Sequence, residues 1–129
     1  MQRLSDAIAF FDRVMTAFGA ANDVTLFTAS AVGRTLTSNG DGTDHGWGAH
    51  HIDAAGAGAG RNTYGQVPQI GVDDEDNAGQ GRLLPKISVD PYAGSLARGF
   101  GLEDSQVRTI FPNIVNVPNR KLGVMTGVV

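Results

Sequence analysis

The chain has 129 residues, with 18 glycines, three histidines and no cysteine. A net charge of -3 at pH 7, with the basic residues scattered, leaves no basic stripe for nucleic acid or an anionic membrane. The missing cysteines exclude disulfides and thiolate metal sites, so a metal here would take histidine and carboxylate ligands.

The length suits one domain, able to withdraw roughly two-thirds of its unfolded surface from water. Near the start, Ser5 stands where an N-cap belongs and Asp6 falls in the first turn. Leu4, Ile8, Phe11, Val14, Met15 and Phe18 recur at three- and four-residue steps, which predicts a helix over residues 6–18 stopped by Gly19. Asp12 and Arg13 interrupt its apolar run, so it reads neither as a cleavable signal nor as a membrane span. "DVTLFTAS", residues 23–30, is β-branched and aromatic, as in a buried strand. Helix followed by strand predicts an α/β layer.

From Gly33 to Gly81 glycine, asparagine and aspartate punctuate the chain and helical periodicity is lost. A long irregular region is expected, with short strands at "HHIDAAGA" and "NTYGQVP". "AGAGAG", residues 55–60, has no strand leading into it and no helix after it, so a dinucleotide loop is rejected. "GVDDEDNAGQG", residues 71–81, lacks the glycine and distal glutamate of a calcium loop and reads as a solvated acidic turn.

After Leu84 order returns. Asp90 as N-cap, Pro91 at the first helical position, and Tyr92, Leu96 and Phe100 four apart predict a second helix, broken at Gly99 and Gly101. "LEDSQVRTIFPN" predicts a third, ended by Pro112. The tail from Val117 carries no pattern, and residues 118–129 are expected to be loose or a strand. Without a repeat or linker, residues 1–129 read as a single domain.

All three histidines lie in "SNGDGTDHGWGAHH", residues 38–51. Asp41, Asp44, His45, His50, His51 and Asp53 bring carboxylate and imidazole together in a stretch whose glycines permit sharp turns, the donor types that suit zinc or manganese. The alternative is a turn-rich loop whose histidines bond to backbone and whose Trp47 plugs the core edge. Ser30 at the end of the predicted strand is a candidate nucleophile, with Thr35, Thr37, Ser38 and Thr43 nearby, although none sits in a nucleophile elbow. Arg34 is a candidate clamp for an anionic substrate oxygen, and Arg61 a second.

"VTLFTASAVGRTLTSNGDGTDHGWGAHH", "AGAGAGRNTYGQVP" and "SVDPYAGSLARGFGLEDSQVRTIFPN", in this order, closely resemble the C-terminal part of a bacterial family, domain-of-unknown-function family 1501. The resemblance runs from the first helix to about Val117. It implies an exported or periplasmic parent protein, often with a twin-arginine signal, of the alkaline phosphatase and sulfatase superfamily. It therefore implies part of a three-layer α/β fold and a metal-dependent hydrolase of phosphate or sulfate esters. Asp44 and His45 would match paired metal ligands, with His50 or His51 as a further one, for zinc, manganese or calcium. Two departures stand out. Against the resemblance, Ala31 stands where the family usually has an acidic residue, and the chain is expected to correspond to the part after the family's N-terminal portion, where the nucleophile would lie. The expectation is a fragment inactive alone, with a small anionic ester as the parent's substrate. The alternative is a non-catalytic domain that self-associates, as a homo-oligomer, or binds a partner. Half a doubly wound sheet leaves an edge and a face that self-association would cover.

Overall fold

The computed structural model describes residues 2–58 and 60–125. In chain order the elements are helix α1 (Gln2–Ala17), strands β1 (Thr25–Phe27), β2 (Gly33–Ser38), β3 (Thr43–Gly46) and β4 (Asp53–Ala55), helices α2 (Val89–Gly99) and α3 (Asp104–Ile110), and a 3-10 turn at Pro112–Asn116. The expected mixture of helices and strands is present. The strands form two antiparallel pairs, β1 with β4 and β2 with β3. These elements belong to two compact units. One is Met1–Thr28, Ile52–Tyr64 and Asp90–Val129, and the other is Ala29–His51 and Gly65–Val89.

In the first unit, α1 begins four residues before its expected start. Ser5 lies inside the first turn instead of capping it, and the Gln2 amide donates to Asp6 one turn on, at 2.8 Å. Its end matches expectation. Gly19 takes φ +70°, its N–H bonds to Thr16 and that of Ala20 to Met15, the paired bonds of a Schellman cap. None of the sixteen residues of α1 is buried. β1 is shorter than the predicted strand and pairs with β4 in the register Thr25↔Ala55, Leu26↔Ala54, Phe27↔Asp53. β4 lies within "HHIDAAGA" as expected, whereas "NTYGQVP" forms no strand.

The core of this unit forms where α2 meets α3 and the turn after it. Val107 and Ile114 are almost completely buried, and Val124 is 5% exposed. The buried face of α2 is Pro91, Gly94 and Ser95, not the expected Tyr92–Leu96–Phe100 stripe, and Phe100 is 87% exposed. The reason is close approach. A Cβ on Gly94 would stand 2.8 Å from Ile114 Cδ1 and 3.2 Å from Val107 Cγ1, so a larger residue here would have to displace these buried methyl groups. Gly101 then ends α2 with a second Schellman pair, Gly101 to Arg98 and Leu102 to Ala97. Glu103 caps α3, where its N–H bonds to Gln106 Oε1 at 2.8 Å, and Pro112 closes it as expected.

The tail is tied down as far as Met125. Ser95 Oγ donates to Pro91 O and accepts from Leu122 N–H at 2.8 Å, and the Arg98 guanidinium bonds both Asp104 at 2.6 Å and Arg120 O. Residues 126–129 of the expected loose end lie outside the described residues.

Candidate functional site

The histidine-rich stretch is a β-hairpin. β2 and β3 pair at Gly33↔Gly46 and Arg34↔His45, then the register slips so that Ser38 faces Thr43. Three residues of β2, 35–37, therefore oppose Asp44 alone. Thr35, 4% exposed, makes this bulge possible: its hydroxyl donates to Thr37 O and accepts the Asp44 N–H at 3.0 Å. The bulge turns β2 outward, where Leu36 N–H bonds to Gly81 O and Thr37 Oγ1 to Gln80 O. Glycine serves close backbone contact here more than flexibility. A Cβ on Gly33 would lie 1.8 Å from Gly48 O, and one on Gly48 would lie 2.8 Å from Leu83 O. The sequence signal for the hairpin was the Asn39-Gly40 pair after the β-branched run of β2.

At the tip the Asn39 N–H bonds to Gly42 O, and the Asn39 amide donates to Asp44 Oδ1 at 2.8 Å. The Arg34 guanidinium lies along the hairpin, with Nε donating to Thr43 Oγ1 at 3.0 Å and a terminal nitrogen to Thr43 O. Arg34 and His45, as paired residues, share one face of the ladder, while Asp44 and His45, as neighbours on a strand, lie on opposite faces. Asp44, His45 and His50 are exposed and His51 is partly buried. Among the described residues, no three His, Asp or Glu side chains gather as a metal-holding group.

Among the other candidates, Ser30 and Asp53 hold structural hydrogen bonds. Ser30 Oγ donates to Val32 O at 2.8 Å and accepts the Val32 N–H, a turn-forming role. Trp47 does not plug a core edge: it is 67% exposed. Arg61 is exposed, with φ +64°. Asp53 belongs to the first unit, where Tyr92 donates to its carboxylate at 2.6 Å and to Thr28 O at 3.2 Å. Burial, then the neighbouring Asp53 carboxylate, pushes the Tyr92 phenol well above its usual range.

Sequence reasoning missed Asp76. In the acidic run it alone is buried, where it accepts from the Lys86 ammonium and from Gln69 N–H at 2.8 Å. The Lys86 contact, then the Gln69 amide, holds its carboxyl below the usual carboxylate range against the opposing effect of burial. Asn77 beside it accepts from Gly79 and Gly81 N–H and donates to Val72 O, so "DDEDN" is a knotted turn that braces the hairpin's outer edge. A charge count cannot separate one buried acid from three solvated neighbours.

Together these features describe a small α/β chain with a braced, glycine-packed hairpin. Its first 84 residues, which include α1 and all four strands, match the model of the family described as "Protein of unknown function (DUF1501)", and the chain belongs to that family. The match stops before "SVDPYAGSLARGFGLEDSQVRTIFPN", which the sequence resemblance also covers. No curated protein and no solved structure matches the chain.

Proposed function

We propose that this chain is a non-catalytic association module that pairs with a second copy of itself through the outer face of α1. One observation carries the reading: α1 is amphipathic yet buries none of its residues, and Phe10 is 63% exposed on it. Phe10 lies in a stripe with Arg3, Asp6, Arg13 and Ala17, at alternating steps of three and four. Asp6 precedes Phe10 by four residues and Arg13 follows it by three. A second α1 running antiparallel therefore sets each Asp6 beside the partner's Arg13, with the two phenyl rings between. The helix is about 24 Å long, enough for a weak, concentration-dependent dimer.

Light scattering over a concentration series tests this. The chain is expected to shift from monomer to dimer as concentration rises, and Phe10→Asp, on a solvent-facing position, is expected to stay monomeric with an unchanged far-UV spectrum. A chain monomeric at every concentration, or a Phe10→Asp variant that dimerises equally, overturns the proposal.

A second reading is favoured by Arg34 and His45 sharing one face of the hairpin. In it, a longer, exported, alkaline-phosphatase-like parent protein hydrolyses a phosphate or sulfate ester. Arg34 clamps the anion, and Asp44, His45, His50 and His51 serve a zinc, manganese or calcium ion that would polarise the ester oxygen. The donors suit such an ion in type, but Asp44 and His45 face opposite ways, so the hairpin as folded does not offer them to one ion. Elemental analysis decides: bound metal lost in both Asp44→Ala and His45→Ala supports this reading. No metal in the wild type, or equal metal in the variants, overturns it.

A further inference from the structure

We propose that Asn39 is a site of spontaneous deamidation, that its contact with Asp44 restrains the reaction, and that conversion to aspartate unties the hairpin tip. Of the chain's asparagines, Asn39 alone precedes a glycine. In this reaction the backbone nitrogen of Gly40 attacks Asn39 Cγ. The new N–Cγ bond forms, the Cγ–Nδ2 bond breaks, and ammonia leaves, taking up the proton lost from Gly40. Water then opens the cyclic imide at either carbonyl, leaving aspartate or isoaspartate. Glycine favours the attack because no Cβ crowds its nitrogen.

The bonds at the tip bear on each step. Residues 38–42 are all exposed, so water reaches the imide. The Gly40 N–H, whose proton must leave, already donates to Ser38 Oγ at 3.1 Å. Asn39 Oδ1, which gains negative charge during attack, accepts the Asp41 N–H at 3.2 Å, a backbone donor placed where that charge develops. Opposing these, the departing amide nitrogen donates to Asp44 Oδ1 at 2.8 Å, which anchors the side chain. Asp44 is thus a positioning residue that slows the reaction. Once residue 39 is a carboxylate, that bond is replaced by two like charges at contact distance. The isoaspartate product also lengthens the backbone inside the Asn39–Gly42 closure.

The test is incubation of the folded chain at neutral pH, followed by denaturation, trypsin digestion and mass mapping of peptide 35–61, whose only asparagine is Asn39. Replacement of amide by acid is expected there several-fold faster than at any other asparagine, and faster again in Asp44→Ala. Asp44→Asn, which keeps a neutral acceptor oxygen and in which fragment ions separate conversion at residue 39 from conversion at the substituted position 44, is expected to return close to the wild-type rate at Asn39. In denaturant the three chains are expected to react alike. Slow conversion at Asn39 in the folded wild type overturns the site. Equal rates for wild type and Asp44→Ala, or equally fast Asp44→Asn and Asp44→Ala, overturn the restraint.

Discussion

Asp76 and Asp104 carry similar physics at different degrees of burial. Asp76 is nearly buried against Lys86, and Asp104 is half-exposed against an Arg98 whose side chain is 7% exposed. In each case the hydrogen bond from the cation holds the carboxyl below its usual range. The folded chain therefore binds these protons more weakly than the unfolded chain does. Their contribution to stability is complete above the unfolded carboxylate value of about 3.9 and is lost as pH falls through the lower folded values. Urea unfolding midpoints are accordingly expected to drop below about pH 4. Asp76→Asn is expected to be less stable at neutral pH and to lose less of its remaining stability on acidification. An equal acid response in wild type and variant would count against the assignment. Nothing in "DDEDN" marks Asp76 among its neighbours, because burial depends on Gln69 and Lys86 folding around it.

The C-terminal ends of the helices were legible in the sequence, whereas their starts and faces were not: α1 begins at Gln2 before Ser5, and α2 at Val89 with Asp90 inside it. Gly19 and Gly101 stop α1 and α2 by local bonds that need only a glycine at positive φ. The face of α2 depends on what it meets. Size and periodicity pointed to Tyr92, Leu96 and Phe100, but Val107 and Ile114 come in against Gly94 and Ser95, where a small residue permits it. Gly94→Ala should gain about 1 kcal/mol in helix propensity and lose about 1–3 kcal/mol to overpacking, so that stability falls by up to about 2 kcal/mol. Phe100→Ala, at an exposed position, should change stability by no more than about 0.5 kcal/mol. Chemical denaturation of the two variants checks the ranking, and the reverse order would contradict this packing. The hairpin escaped the sequence reading for a related reason. Glycines at 33, 46 and 48 resemble loop punctuation, yet at Gly33 and Gly48 they admit another stretch of backbone.

Across the whole molecule, the chain passes between its two compact units four times, after residues 28, 51, 64 and 89. No linker composition marks these crossings, since each unit is assembled from segments distant in sequence. The candidate cluster is divided by one of them: Asp41 to His51 stay in the hairpin unit, while Asp53 pairs with β1 and receives the Tyr92 hydroxyl. Self-association through α1 also belongs to this scale. Binding that favours the folded state raises stability by mass action, so the melting temperature should climb with protein concentration in the wild type and not in Phe10→Asp.

The sequence by itself determined the mixed α/β content, both glycine helix stops, the Pro112 end of α3 and membership of the family, because each depends on short-range patterns. Only the tertiary structure decided that the histidine stretch is a bulged hairpin, that Asp44 and His45 face opposite ways, that Asp76 is an internal ion-pair partner, and that α1 leaves Phe10 exposed while Ile8, Phe11, Val14 and Met15 are partly covered. Each of those outcomes depends on which distant segment comes to rest against a given residue, and spacing along the chain does not encode that.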